Sequence, residues 1–134
     1  MLMTRASEYA LLSLIVIAKG SDPIDSDTLS KELKISKSFL AKVLQALARQ
    51  GILNSYKGVK GGFCLAKPGR DITVLEIITA VESKTPAVFD CAPSKENCPS
   101  DMASACAIWP FINKLQGKID DFLNTLTLEE ILEA

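Results

Sequence analysis

Along most of the chain apolar residues return every three or four positions, and in one short stretch near the middle they sit on two runs joined by glycines; this pattern outlines the elements. The first helix is predicted over residues 4 to 19, capped by Thr4, with Ala10, Leu11, Leu14, Ile15, Ile17 and Ala18 on a broad apolar face and Gly20 at its end. Ser21-Asp22-Pro23 predicts a turn, after which Asp25 or Ser26 caps a short helix reaching about Leu33, with Leu29 and Leu33 inward. Ser36 caps a third helix. In it Leu40, Val43, Leu44 and Leu47 hold the i, i+3, i+4, i+7 stripe and Gly51 closes the end, while Lys37, Ser38, Ala41, Lys42, Gln45 and Arg49 face outward.

Two helices a few residues apart, the second polar and basic outside, suggest a helix-turn-helix as readily as an ordinary helical hairpin. The next residues favour the former. Ile52 to Tyr56 and Phe63 to Ala66 read as strands around the basic loop Lys57-Gly58-Val59-Lys60-Gly61-Gly62, which is a wing. Its glycines allow positive φ and close approach to a groove, and Lys57 and Lys60 supply charge suited to the minor groove. The G-x-x-x-x-G-K-[ST] spacing of a phosphate-binding loop is missing. Thr73-x-x-Glu76 is a capping box opening a helix to about Glu82; periodicity then lapses from Ser83 to about Asp101. A last long helix begins near Ala107, with Pro110 in its first turn and Trp109, Ile112, Leu115, Ile119, Phe122, Leu123 and Leu126 forming a seam that wants a partner helix. A second box, Thr127-x-x-Glu130, starts a terminal helix carrying Leu128, Ile131 and Leu132.

The net charge of −1 conceals a segregation. Residues 1 to 70 hold 11 Lys/Arg against 5 Asp/Glu, or +6; residues 71 to 134 hold 4 against 11, or −7. Between 31 and 70 the count is 9 against Glu32 alone, the clustering that attracts a phosphate backbone, although charge by itself fits a solvated face equally well. The 134 residues suffice for one domain with its own core. No run of about 18 apolar residues occurs, so the chain is expected to be a cytoplasmic protein without membrane contact.

Four cysteines, Cys64, Cys91, Cys98 and Cys106, are expected to be reduced thiols able to bind metal. Cys91, Cys98 and Cys106 lie in or beside the aperiodic segment, and a thiolate set favours soft metals and iron-sulfur centres. The C-x₂₋₄-C pairs of structural zinc sites are absent. The chain has no histidine, which leaves a carboxylate, Cys64, a backbone group, water or an exogenous molecule for a fourth position. Glu8 is the favoured candidate, although an acid in a first helical turn is also favoured by the helix dipole; Cys64, between Phe63 and Leu65, reads as a packed residue.

With these residues in view the chain resembles the IscR, NsrR and CymR family of bacterial winged-helix regulators over essentially its whole length. The likeness rests on Thr4-x-x-x-Glu8-Tyr9-Ala10, on Ile35-Ser36-x-x-Phe39-Leu40-x-x-Val43-Leu44-x-x-Leu47 with Gly51-Ile52-Leu53, and on Lys57-Gly58-x-x-Gly61-Gly62-Phe63-x-Leu65-Ala66. It continues through Ile72-Thr73-Val74-Leu75-Glu76-Ile77-Ile78, the three cysteines, and Trp109 leading to Leu126-Thr127-Leu128. The resemblance implies a homodimer joined by crossed long helices, bound to an inverted-repeat operator on double-stranded DNA. It also implies a cluster on Cys91, Cys98 and Cys106. IscR-like members take a fourth ligand from a histidine after the last cysteine, where this chain has Ala107-Ile108-Trp109. NsrR-like members use a carboxylate near the N-terminus of the other subunit, the position of Glu8, which favours [4Fe-4S] over [2Fe-2S].

The fold expected is mainly α with a small β-wing: a winged helix-turn-helix domain at 1–82, a cysteine-containing cluster-binding loop at 83–106, and a dimerisation helix plus C-terminal helix at 107–134. The expected function is a DNA-binding regulator, a repressor or other sensor whose operator affinity is set by an iron-sulfur cluster. DNA contacts are expected from Ser36, Lys37, Ser38, Lys42 and Gln45 of the recognition helix and from Lys57 and Lys60 of the wing. The alternative is a cluster-free repressor of the same fold, controlled by a thiol switch, a small molecule or a partner protein. Two further alternatives are a zinc repressor and an iron-sulfur redox protein; catalysis is disfavoured by the lack of histidine and of G-x-S-x-G spacing.

Overall fold

Local side-chain chemistry sets where most helices start. In the computed structural model, which describes residues 3–83, 86–88 and 106–134, α1 (Arg5–Lys19), α2 (Ser26–Leu33) and α3 (Lys37–Arg49) precede strands β1 (Leu53–Tyr56) and β2 (Gly62–Leu65). Then come α4 (Val74–Glu82), α5 (Trp109–Thr125) and α6 (Leu128–Glu133). Thr4, Asp25, Ser36, Thr73 and Thr127 each accept the backbone N–H three residues ahead, so Asp25, not Ser26, caps α2. Each such cap contributes about 1 kcal/mol. The box at Thr73 is only half made. Glu76 turns instead to Lys67, whose Nζ lies 2.7 Å from its Oε1, because a cation offers the carboxylate a stronger hydrogen bond than a backbone amide does.

The end of α3 fixes the wing. Gly51 takes φ 78°, its N–H donates to Ala48 O at 3.1 Å, and the Ile52 N–H donates to Leu47 O at 3.0 Å, which reverses the chain and drops Ile52 into the core. β1 therefore begins at Leu53, one residue later than the pattern predicts. β1 and β2 pair antiparallel, Leu53 opposite Leu65 and Tyr56 opposite Gly62. Ile24 adds a third rung to this hairpin, donating to Phe63 O at 3.1 Å and accepting from Phe63 N–H at 2.8 Å. Gly62 makes that possible. At φ 143° a Cβ there would lie 2.5 Å from the Ile24 carbonyl carbon, so a contact within the chain already requires glycine here.

Leu14, Leu29, Leu40, Leu44, Leu47, Ile52, Ile72 and Ile77 form one fully buried core, joined by Leu128 from α6. Truncating a leucine such as Leu44 to alanine should remove roughly 2–5 kcal/mol of stability. A second cluster of Val74, Ile78 and Leu123 packs α4 on α5. Backbone bonds reinforce that junction: Val74 N–H donates to Leu126 O at 2.8 Å and Leu128 N–H to Ile72 O at 2.9 Å.

α5 starts at Trp109, two residues later than predicted, after a turn at Ala107 and Ile108. Its apolar residues divide between two faces. Ile119 and Leu123 pack toward α4 and Ile112 is buried, whereas Ile108 at the helix cap, Phe111 and Phe122 are 60%, 64% and 62% exposed. Among the described residues, no helix is long and apolar enough to cross a membrane.

Candidate nucleic-acid interface and cysteine site

The outer face of α3 carries the residues expected to meet DNA. Ser36 caps the helix, and its Oγ lies 3.1 Å from Ser38 Oγ. With Lys42, these hydroxyls line a cleft of about 430 Å³ at the head of the helix, completed by Arg5, Lys34 and the Tyr9 and Phe39 rings. Three cations thus converge where the α3 N-terminus presents its positive dipole end. Gln45 lies on a second cleft of about 430 Å³, with Arg49, Ser55 and Phe63, between α3 and the wing.

Lys37 leans the other way. Its Nζ is 3.7 Å from Asp27 Oδ1, and Lys31 Nζ is 3.1 Å from Asp27 Oδ2. Both pairs are exposed and worth well under about 1 kcal/mol, so a phosphate can displace them. Beside them the Asp25 carboxyl is held below its ordinary value, first by the Thr28 backbone N–H at 2.7 Å, next by the Thr28 hydroxyl, and less by the charge of Lys37. Lys57 and Lys60 are exposed on the wing loop, and Val59 between them stands entirely clear of the protein.

The sequence gives no local sign that Arg5, Tyr9, Lys34 and Phe39 line this cleft. Arg5 and Tyr9 belong to α1, and nothing local signals that its first turn meets the head of α3. The join is a ring pair: Tyr9 and Phe39 meet edge to face, centroids 5.4 Å apart at 85°. Lys34 closes α2 in the left-handed region, φ 58°, where glycine or asparagine is the usual occupant.

Of the four residues assigned to a cluster, Cys91 and Cys98 lie outside the described residues. Cys106 is half-buried just before α5, its carbonyl accepting the Trp109 N–H at 3.4 Å. Glu8 is exposed in the first turn of α1, its Oε2 3.6 Å from Arg5 Nη1. Among the described residues no three metal-ligating side chains converge. The same turn of α1 is fastened from α4, where Glu82 Oε1 accepts from Thr4 Oγ1 and, at 2.9 Å, from Ser7 Oγ. Cys64 pairs across the wing with Asn54 and is half-buried, as a packed residue should be.

A capped helix-turn-helix, an antiparallel wing and a basic recognition face define a winged-helix DNA-binding regulator. The chain matches the Rrf2 family, described as an iron-dependent transcriptional regulator, over residues 3–134, and it belongs to that family. It is 29% identical over 135 residues to the HTH-type transcriptional regulator IscR of Photorhabdus laumondii, covering 98% of this chain and 79% of that one. Among solved structures it is similar to CymR, the global cysteine regulator of B. subtilis, with TM-score 0.75, 20% identity, and 99% and 97% of the two chains covered. It is also similar to IscR of T. potens, with TM-score 0.71, 21% identity, and 99% and 87% covered. Family and relatives are regulators of transcription.

Proposed function

We propose that the protein is a homodimeric repressor or activator of transcription that binds an inverted-repeat operator and responds to an iron-sulfur cluster. The observation that carries the DNA reading is the convergence of Arg5, Lys34, Lys42 and the serine hydroxyls at the head of α3. Lysines there and on the wing position the protein on phosphates, while Ser38 and Gln45 are suited to base edges. The exposed stripe Ile108, Phe111 and Phe122 supports dimerisation through α5, which would bring two recognition helices to successive major grooves. The division proposed for the chain follows: DNA-binding domain at 1–82, cysteine loop at 83–106, dimer helix and C-terminal helix at 107–134.

The donor chemistry fits a cluster: three cysteines, no histidine, and an exposed carboxylate whose present partner is an exposed arginine. Cys91, Cys98 and Cys106 would hold it, with Glu8 of the partner subunit as fourth ligand, a set that favours [4Fe-4S]. When bound, such a group supplies sensitivity to oxygen, nitric oxide, redox poise or cluster supply, since a carboxylate is a weak ligand to iron. The protein's part is to relay position. Glu8 precedes Tyr9, whose ring touches Phe39 of α3, and Thr4 and Ser7 in the same turn are held by Glu82. A pull on Glu8 therefore moves a turn fastened to both the recognition helix and α4. It would also free Arg5, which already lines the DNA-facing cleft, from its ion pair with Glu8.

Anaerobic purification followed by visible absorption and native mass spectrometry tests this reading. A brown dimer heavier than the apo dimer by two clusters is expected, and its mass distinguishes [4Fe-4S] from [2Fe-2S]. A colourless dimer that resists anaerobic reconstitution would sink the cluster reading and leave a cluster-free regulator.

A further inference from the structure

α5 contains one polar residue where its neighbours on the inward face are apolar. Gln116 is 5% exposed, on the buried face of α5 between Ile112 and Leu123. A buried amide is unfavourable unless its hydrogen bonds are replaced, and Gln116 replaces them with partners 28 and 30 residues earlier in the chain. Its Nε2 donates to Pro86 O at 2.7 Å and to Asp120 Oδ1 at 2.8 Å, and its Oε1 accepts the Val88 N–H at 2.9 Å. The carbonyl of one residue and the N–H of the second residue after it are the pair that a neighbouring parallel strand would take. Gln116 thus reads the 86–88 backbone as an adjoining strand would.

The partners also fix which way the amide points. Pro86 O can only accept and the Val88 N–H can only donate, so a flipped amide would lose both bonds, and Asp120, one helical turn on, takes the second Nε2 proton. Proline at 86 suits the contact, having no N–H of its own to satisfy in a buried position. Val88 lies three residues before Cys91, and Cys106 lies three residues before the first residue of α5. Both ends of the cysteine segment are therefore tied to one helix.

We infer that Gln116 is a positioning residue: it fastens the start of the cysteine segment to α5 and thereby sets how firmly the segment retains iron. The second half rests on the cluster reading proposed above; the first does not. In the Q116L variant Pro86 O and the Val88 N–H lose their partner, and hydrogen exchange of the apo protein should show the Val88 amide exchanging at least tenfold faster than in wild type. After anaerobic reconstitution, iron should pass to a ferrous chelator at least fivefold faster, with the apo protein's affinity for DNA unchanged. D120A, which keeps both backbone bonds and removes only the third, should fall between wild type and Q116L in both measurements and guards against a Q116L chain that fails to fold.

Unchanged Val88 exchange in Q116L would overturn the anchor. Faster exchange with wild-type iron loss would overturn the positioning role. If wild type loads no iron while Q116L still accelerates Val88 exchange, the cluster reading falls and the role in iron retention falls with it, whereas the backbone anchor stands.

Discussion

Lys34 holds a backbone conformation that disfavours it. A non-glycine residue in the left-handed region costs about 1 kcal/mol, and Lys34 bears that at φ 58° while lining the cleft at the head of α3. Lys34→Gly should raise stability by about 0.5–1 kcal/mol in urea unfolding, since relief of strain is partly offset by the flexibility of glycine in the unfolded chain. It should also weaken operator binding and reduce the salt slope by about 1.8, the loss of one phosphate contact in each subunit. Equal affinity in variant and wild type would remove Lys34 from the interface. Asp25 makes the opposite kind of contribution. Its carboxyl titrates below the ordinary 3.8 in the folded chain because the Thr28 N–H and Lys37 favour the anion, so its stabilisation is complete above that value and is lost as pH falls through the lowered one. Asp25→Ser keeps a cap but does not titrate. Its stability should fall less between pH 6 and pH 2, and identical acid losses would show that this carboxylate plays no part in them.

At the scale of elements, legibility followed sequence distance. The caps at Thr4, Asp25, Ser36, Thr73 and Thr127 were readable because cap and recipient lie three residues apart, and the α3 stripe because its period is that of the helix. Partners far along the chain were not. Glu82 on Thr4 and Ser7, Ile24 on Phe63 and Gln116 on Pro86 and Val88 leave no periodic trace, and Glu76 departed from its box because Lys67 came within reach from nine residues back. The α5 seam was legible as apolar, but its division into an inward and an outward face depends on where α4 lies. For the wing, Lys57→Ala should lower the slope of log affinity against log salt by about 1.8 per dimer on any DNA sequence, because a phosphate contact carries no base information. A change confined to the operator would mean instead that Lys57 reads bases. Asp27→Asn should act in reverse, freeing Lys31 and Lys37 and tightening binding to any duplex severalfold at low salt; no change would mean those lysines do not face DNA.

For the molecule as a whole, the sequence showed a basic first half and an acidic second half, and the structure gathers Arg5, Lys34 and Lys42 at the head of α3 and leaves Lys57 and Lys60 exposed on the wing. If the exposed stripe of α5 is the dimer seam, Phe122→Glu should yield monomers in sedimentation velocity. The fold of the single chain should survive, because Phe122 is 62% exposed within it, but the thermal midpoint should fall as the stabilisation supplied by the partner subunit is lost. Operator affinity should fall at least tenfold, since two linked half-site contacts become one. A Phe122→Glu chain that remains dimeric would place the seam elsewhere. The backbone bonds at Leu126 and Leu128 hold the far end of α5 against the start of α4, while its near end adjoins Cys106. The 17-residue helix is about 26 Å long, so for a pivot at that far end a displacement of about 2 Å at the cysteine end corresponds to a swing of only about 4°. Were the proposed cluster to shift the cysteine end by that much, the change would travel as a small angle down a stiff rod, without unfolding anything along the way.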